Sequence, residues 1–228
     1  MKIAVFTDVH GNRFALEAVL KDIAQFKPDL MLNLGDSVWG SADPLGAWKL
    51  QQSSGALEVR GNTDEYVMAS PDSSEGSQPY AQWLQGQLTP EVAAHLRTVP
   101  LNRTVLEGQI LATHGTPGDP WTAFFDESYQ QQLGRLAPFA GVKVVLVGHT
   151  HKELLEVQDG ISRVNVGAVS RQKDGDPWAR WVLLERSGTR FNVSFRRVEY
   201  DVDAAVSWIL EHYPQGGREA EQLKTGRA

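Results

Sequence analysis

The chain has 228 residues, of which 41% are hydrophobic, and its 22 basic and 28 acidic side chains give a formal net charge of −6. This length and composition predict one globular domain over residues 1–228 with a polar tail from about residue 215. The negative charge argues against duplex nucleic acid as a partner. The chain has no cysteine, which excludes disulfides and thiolate metal ligands. It has no signal-peptide core and no apolar run of about 18 residues, so we expect a cytoplasmic protein that does not span a membrane.

The first part of the chain alternates short apolar runs with helical patterns. Three runs of β-branched and aliphatic residues predict strands buried on both faces: 3–6, 30–34 and 57–59. Between them, Asn12 can cap a helix over 14–26, and a second helical segment covers 45–52. We therefore expect a right-handed βαβαβ start.

The middle of the chain is polar before it becomes helical. Residues 70–79 are rich in serine, proline, aspartate and glycine, which predicts an exposed, mobile loop bordering the functional site. Short helices are predicted at 80–85 and 90–96. His95 lies on the second of these helices, where we expect a solvated surface position.

After residue 100 the pattern changes to hairpins. Paired apolar runs flank three turn dipeptides, at 107–108, 159–160 and 187–188. A further buried strand is predicted at 142–147 and a last helix at 202–212, followed by a frayed tail. Early parallel strands, later hairpins and intervening helices together predict an α/β fold of two stacked mixed β-sheets flanked by helices.

Seven side chains able to bind metal follow the ends of predicted strands. They occur in five motifs: Asp8-Val-His10, Gly35-Asp36, Gly61-Asn62, His114-Gly115 and Gly148-His149-Thr150-His151. Each motif alone is compatible with an ordinary turn or a structural histidine, but five in succession at strand ends favour a common site. The i, i+2 pairs, Asp8 with His10 and His149 with His151, are expected to project to the same side of an extended backbone. Imidazole nitrogens combined with carboxylate oxygens suit manganese, iron or zinc better than calcium.

In this order, the motifs D-x-H, G-D, G-N-x-D, H-G and G-H-T-H resemble those of the calcineurin-like metallophosphoesterase superfamily, particularly its small bacterial phosphodiesterases. The resemblance extends from Met1 to about Ser170. It implies two divalent metal ions, with manganese favoured and iron, zinc or nickel as alternatives. The implied ligands of one ion are Asp8, His10, Asp36 and His151. Those of the other are Asp36, Asn62, His114 and His149, so that Asp36 would bridge the two ions.

The chemistry of phosphate esters explains this choice of residues. Two cations about 3.5 to 4 Å apart neutralise phosphoryl charge and lower the pKa of a bridging water, so that hydroxide can attack in line. The neutral Asn62 can coordinate without cancelling the positive field and could also donate to a phosphoryl oxygen. Asp64 is predicted to orient a ligating histidine. Arg13 could contact a phosphoryl oxygen, and an exposed arginine at a helix start is the equal alternative.

The chain departs from the family pattern at Thr63, where many members have a histidine that is thought to protonate the departing oxygen or steady the phosphoryl group. A threonine hydroxyl can donate a hydrogen bond but cannot act as an imidazolium does near neutral pH. Four aromatic residues follow the site motifs in sequence: Trp39, Trp121, Phe124 and Phe125. Such rings could stack on a nucleobase or an aryl leaving group, or could pack beneath the loops.

The resemblance implies a metal-dependent phosphoesterase that hydrolyses phosphodiesters or nucleotide-type phosphoanhydrides. The expected partner is a small phosphate ester such as a nucleotide. A broad phosphomonoesterase is the alternative within enzymes. A protein-binding scaffold is the alternative outside them, because the retromer subunit of this superfamily has a degraded metal site. The presence of all seven expected ligands favours catalysis.

Overall fold

The computed structural model describes every residue except Pro71, Glu75, Ser77 and Pro214. Its strands are β1 (Lys2–Phe6), β2 (Leu30–Asn33), β3 (Leu57–Glu58), β4 (Asn102–Val105), β5 (Ile110–Thr113), β6 (Val144–Val147), β7 (Glu153–Gln158), β8 (Ile161–Val166), β9 (Ala179–Ser187) and β10 (Arg190–Val198). Its helices are α1 (Arg13–Phe26), α2 (Pro44–Ser54), α3 (Asn62–Met68), α4 (Pro79–Gln87), α5 (Pro90–Thr98), α6 (Tyr129–Leu136), α7 (Val202–His212) and α8 (Gly217–Thr225). Phe124–Asp126 form one 3₁₀ turn.

The strands form two five-stranded mixed sheets, which confirms the predicted fold class. The first sheet has the order β10-β9-β1-β2-β3, in which β1, β2 and β3 are parallel and the β9-β10 hairpin pairs antiparallel with β1. The second has the order β4-β5-β6-β8-β7, with β5, β6 and β8 parallel and an antiparallel strand at each edge. The strands of both sheets therefore include parallel neighbours whose carboxyl ends share an edge.

A core of aliphatic side chains fills the space between the two sheets. Ile3 of β1 pairs in register with Leu30 on one side and Leu184 on the other. Ile3 and Leu184 pack against Val144 and Val164 of the second sheet, and all four side chains are buried. Burial of such side chains stabilises the fold by about 1.5 to 3 kcal/mol each, and it holds the two sets of strand ends together.

Helix α1 shows how the sequence positions the loops that follow β1. The side chain of Asn12 accepts a hydrogen bond from the backbone N–H of Ala15 at 3.0 Å, as an N-cap does. The apolar face of the helix is buried against the outer side of the first sheet, where Leu16 and Val19 contact a cluster that includes Trp181. The amide of Asn12 also donates to Ser170 Oγ at 3.1 Å, so the start of α1 is tied to the segment after β8.

Three helices were not predicted from the sequence. Helix α3 begins at Asn62 itself and spans only 7 residues without a side-chain cap, so it has neither the length nor the start signal that a periodic pattern needs. Helix α6 is short and glutamine-rich. Helix α8 replaces the frayed tail expected after residue 215, because Ala220 and Leu223 are buried in the core beside α7. Polar composition concealed this helix.

Residues 71, 75 and 77 of the predicted loop 70–79 lie outside the described residues, so its exposure and mobility stay predictions. In the part of the chain that the structure describes, no helix combines the length and apolarity that crossing a bilayer requires.

Candidate metal centre

The seven predicted ligands come together where the strand ends of the two sheets meet. Asp8 and His10 follow β1, Asp36 follows β2, and Asn62 begins helix α3 after β3, in the first sheet. His114 follows β5 directly, while His149 and His151 follow β6, in the second sheet. Only His149 is partly exposed, and the other six side chains are buried. The expectation that these residues share one edge of the fold therefore agrees with the geometry.

The backbone reaches this arrangement through left-handed conformations. Five of the seven residues have positive φ angles: Asp8 (54°), His10 (46°), Asp36 (57°), His149 (68°) and His151 (63°). The prediction that the i, i+2 pairs project from an extended backbone is therefore wrong. For residues other than glycine, a left-handed backbone conformation costs about 1 to 2 kcal/mol each. Clustered backbone strain of this kind is typical of functional sites.

The first half of the centre is formed by two facing imidazoles and a carboxylate. Nε2 of His10 and Nε2 of His151 lie 3.1 Å apart, and Asp8 Oδ1 lies 3.3 Å from His151 Nε2 and 3.8 Å from His10 Nε2. His10 Nδ1 lies 3.1 Å from the carbonyl oxygen of Trp39, and His151 Nδ1 lies 2.6 Å from the carbonyl oxygen of Arg171. A carbonyl can only accept, so each Nδ1 carries the proton and each Nε2 presents a lone pair.

The second half is built around the side-chain amide of Asn62. Its Oδ1 lies 3.0 Å from His114 Nε2 and 2.9 Å from His149 Nδ1. His114 Nδ1 lies 2.8 Å from the carbonyl of Leu34, which places a proton on Nδ1 and leaves Nε2 a lone pair in the neutral ring. Two acceptors, Asn62 Oδ1 and His114 Nε2, thus face each other within a buried site.

Two carboxylates lie between these halves. Asp36 directs Oδ2 towards His10 Nε2 at 3.7 Å and Oδ1 towards His114 Nε2 at 3.5 Å. Asp8 Oδ2 accepts hydrogen bonds from Thr7 Oγ1 at 2.9 Å and from the backbone N–H of His149 at 3.1 Å. Asp8 Oδ1 is buried and has no donor among the described residues. Because an unpaired buried carboxylate oxygen is costly, this atom fits a cation as its partner.

Two groups of side chains have ligand atoms close enough to share an ion. Asp8, His10 and His151 form one, and Asp8, Asp36 and His114 form the other, with the ligand atoms of each group within 4.8 Å of one another. The residues present therefore fit two metal ions, and Asn62 and His149 are available as further ligands beside Asp8, Asp36 and His114.

The electrostatics of the cluster favour the metal-binding forms of Asp8 and His10 but not that of His114. Burial favours a neutral Asp8, but His151 and His114 hold the pKa of its carboxyl well below the usual value. Burial is the main cause that lowers the pKa of the His10 imidazole far below its usual value. Burial also opposes protonation of His114, yet the carboxylates of Asp36 and Asp8 raise its pKa. An ionised carboxylate and a neutral imidazole are the ligand forms.

Asp64 supports the loops of the centre rather than a histidine. Its carboxylate accepts hydrogen bonds from the backbone N–H groups of Asp36 at 3.1 Å, Ser37 at 2.9 Å and Gly61 at 2.8 Å. Burial and the nearby carboxylate of Asp36 raise the pKa of Asp64 to about 7, although the backbone donors lower it. The predicted role of orienting a ligating histidine is thus replaced by one of joining the loops that carry Asp36 and Asn62.

Two other predicted residues lie apart from the cluster. Arg13 pairs with Asp43 and with Glu17, at 3.3 Å for the latter, which matches the alternative of an arginine at a helix start and gives no contact for a catalytic role. His95 was expected to be solvated, but its imidazole is only partly exposed and pairs with the carboxylate of Glu58 at the end of β3.

The aromatic side chains divide between packing and the rim. Phe124 is buried beneath its loop. Trp39 contacts Tyr66 at a ring-centroid distance of 5.0 Å, and Tyr66 contacts Trp121 at 5.3 Å. Trp121 remains 44% exposed, which leaves much of its ring available to a ligand. Trp39 and Tyr66 also line a cavity of about 460 Å³.

A second cavity opens beside His149. Its volume is about 530 Å³, and its walls include Phe125, Lys152, Lys173 and Asp126. The two lysines make no ion pair within the described residues. This cavity therefore places His149, a predicted metal ligand, near the ring of Phe125 and the ammonium groups of Lys152 and Lys173.

The chain belongs to the calcineurin-like phosphoesterase superfamily, whose domain model matches residues 1–187. It is similar to a metallophosphoesterase of Sphaerobacter thermophilus, with 26% identity and a TM-score of 0.79 over 99% of this chain and all of that one. A hypothetical protein of Pyrococcus horikoshii has the same TM-score at 18% identity, over 99% of this chain and 98% of its own. An uncharacterised protein of Methanocaldococcus jannaschii is 25% identical over 92% of each chain. The family match confirms the resemblance seen in the motifs and indicates a metal-dependent phosphoester hydrolase.

Proposed function

We propose that this protein hydrolyses phosphodiesters or nucleotide-type phosphoanhydrides with two divalent cations, for which manganese is the first choice. The observation that carries the proposal is the convergence of acceptor atoms, above all the unpaired Asp8 Oδ1 that faces the Nε2 atoms of His10 and His151. A buried cluster of lone pairs that lacks donors is stable when a cation fills it.

The geometry supports the ligand sets that the family resemblance implies. One ion would be held by Asp8, His10, Asp36 and His151, and the other by Asp36, Asn62, His114 and His149. Asp36 suits a bridging position because its two oxygens face histidines of different sets. When bound, two such cations supply charge neutralisation for the phosphoryl group and activation of a water molecule.

The chain contributes positioning and hydrogen bonding to the reaction. The backbone carbonyls of Leu34, Trp39 and Arg171 fix the tautomers of three imidazoles. The backbone N–H of Thr63 donates to Asp36 Oδ1 at 2.9 Å and limits rotation of that carboxylate. The side-chain N–H₂ of Asn62 remains available to donate to a phosphoryl oxygen when Oδ1 is a ligand.

The surroundings of the centre favour an activated or anionic leaving group. Thr63 cannot serve as an imidazolium acid, so esters with good leaving groups are expected to react fastest. Lys152 and Lys173 line the cavity beside His149 and suit a substrate that carries further phosphate charge. The exposed ring of Trp121 suits a nucleobase or an aryl group.

One substrate screen tests the proposal. Purified protein loaded with manganese is assayed against aryl phosphodiesters, dinucleoside polyphosphates, cyclic nucleotides and monoesters. Higher kcat/KM on diesters or anhydrides than on matched monoesters supports the proposal, and the reverse order indicates a broad phosphomonoesterase. Folded, metal-loaded protein that hydrolyses none of the four classes would contradict the proposal and favour a scaffold function.

A further inference from the structure

The C-terminal helix α8 carries a carboxylate that contacts two loops of the candidate metal centre. Glu219 lies on this helix, beyond the residues 1–187 that the family model matches. Ala220 and Leu223 anchor the helix in the core. The side chain of Glu219 is only 12% exposed and turns away from solvent towards the loops.

The carboxylate of Glu219 joins two segments that are distant in sequence. It accepts hydrogen bonds from the backbone N–H of Ser41 at 3.1 Å and from the Ser41 hydroxyl. It also pairs with Nη2 of Arg171 at 3.0 Å. Ser41 lies in the loop after β2, and Arg171 lies in the segment after β8. One side chain thus connects a loop of the first sheet with a loop of the second.

Each of these loops supplies the carbonyl that orients one histidine of the first half-site. The carbonyl of Trp39, two residues before Ser41, faces His10 Nδ1, and the carbonyl of Arg171 faces His151 Nδ1. The loop that carries Trp39 and Ser41 packs closely against the backbone of His10 and the side chain of Glu219. A Cβ added at Gly40 would lie 1.7 Å from the His10 carbonyl oxygen and 3.2 Å from Glu219 Oε1.

The conformation of Arg171 gives the ion pair a second consequence. Its φ angle is 58°, which is strained for a residue with a side chain, and the direction of its carbonyl depends on that conformation. The guanidinium is 20% exposed and finds its carboxylate partner in Glu219. Loss of that partner would leave an uncompensated cation near His10, where it would repel a metal ion, and would remove one contact that restrains the strained backbone.

We infer that Glu219 is a positioning residue for the half of the centre that contains His10 and His151. The inference rests on the proposed function, since it concerns the affinity of one of the two proposed ions. Groups that orient the ligands of a metal typically contribute about 10- to 100-fold to its affinity. Glu219 acts through the Trp39 and Arg171 carbonyls and makes no contact with the ligand nitrogens themselves.

Manganese titration of the full-length, metal-free protein, followed by the electron paramagnetic resonance of free Mn²⁺, tests the inference. The wild-type protein should bind two equivalents. Glu219→Gln is isosteric and should weaken one of the two sites by about 10- to 100-fold while the other is unchanged. Glu221→Gln, an exposed change on the same helix, should match the wild type. Glu219→Asp keeps the charge but is one methylene shorter, and it should weaken the same site by a smaller factor.

Double variants identify which site is weakened. Combined with His151→Ala, Glu219→Gln should leave the remaining tight site intact. Combined with His149→Ala, it should leave no tight site. Folded Glu219→Gln and Glu219→Asp proteins that bind two equivalents as tightly as the wild type would overturn the inference but leave the proposed function standing. Equal weakening of both sites would overturn the assignment to one half. A wild-type protein that binds no manganese would overturn both.

Discussion

Nε2 of His10 and Nε2 of His151 face each other at 3.1 Å, although the two residues come from different sheets and are both in left-handed backbone conformations. Each Nδ1 faces a backbone carbonyl, so neither Nε2 carries a proton in the neutral ring. Two buried lone pairs at this distance repel unless a cation lies near both. The fold thus holds an arrangement that is unfavourable alone and favourable with a metal ion.

The position of Asp36 predicts a large effect of a small substitution. Asp36→Asn removes the negative charge from the carboxylate that faces both half-sites, so activity should fall by several orders of magnitude and bound metal should decrease. Asp203→Asn is the matched control, because Asp203 is exposed in the first turn of α7. Steady-state kinetics and elemental analysis of both variants provide the measurement. Wild-type activity and metal content in Asp36→Asn would exclude a bridging role.

The close packing of Gly61 against Asp36 predicts a steric effect on catalysis. A Cβ at Gly61 would lie 2.1 Å from Asp36 Oδ1 and 2.3 Å from its backbone nitrogen, while the φ of −91° suits any residue. Gly61→Ala should therefore displace the carboxylate and reduce kcat/KM by roughly 100-fold, as misplacement of a catalytic group by about 1 Å does.

Gly134→Ala serves as the control for that substitution. Gly134 lies in helix α6, and nothing lies within 4 Å of an added Cβ. The change should leave kcat/KM unaltered and stabilise the protein by about 0.5 to 1 kcal/mol through helix propensity. Equal activity of the two alanine variants would show that Asp36 tolerates displacement.

The presence of Thr63 predicts that kcat/KM depends steeply on the pKa of the leaving group. Its hydroxyl oxygen is buried and has no hydrogen-bond partner among the described residues, and it cannot supply a proton near pH 7. General acid catalysis is worth roughly 10²- to 10⁴-fold, so aryl diesters and phosphoanhydrides should react much faster than alkyl esters. Thr63→His should narrow this difference by raising rates on poor leaving groups. A flat plot of kcat/KM against leaving-group pKa in the wild-type protein, with chemistry rate-limiting, would indicate that another residue acts as the acid.

The contacts of Arg13 predict that its substitution leaves catalysis unchanged. Its guanidinium pairs with Asp43 and Glu17 at the start of α1, and its side chain is 32% exposed. Arg13→Ala should leave kcat and KM unchanged and reduce the free energy of unfolding by less than about 1 kcal/mol, the usual value of such pairs. Thermal unfolding and kinetics on an aryl diester check both parts. A selective rise in KM would restore the idea that Arg13 contacts the phosphoryl group.

Much of the fold could be predicted because its signals are local. The strands whose side chains form the core between the two sheets are continuous apolar runs in the sequence. The Asp159-Gly160 dipeptide forms the expected turn, with φ angles of 51° and 75°. The site residues were identified because strand ends in parallel sheets share an edge and because their order resembles that of a known family.

The remaining features depend on contacts that leave no pattern in the sequence. Asp64 binds backbone N–H groups, which every residue type possesses, so its role could not be deduced from its neighbours. The carbonyls of Trp39 and Arg171 orient two imidazoles regardless of their own side chains. Helix α8 is polar on most of its surface, and its functional contact, Glu219, meets partners far away in sequence.

Measurement of metal content together with activity, before and after exhaustive chelation, tests the two-metal proposal most directly. We expect about two divalent ions per chain in the active protein, loss of hydrolysis of an aryl phosphodiester as they are removed, and recovery on addition of manganese. Full activity in folded protein from which all metal has been removed would contradict the two-metal proposal.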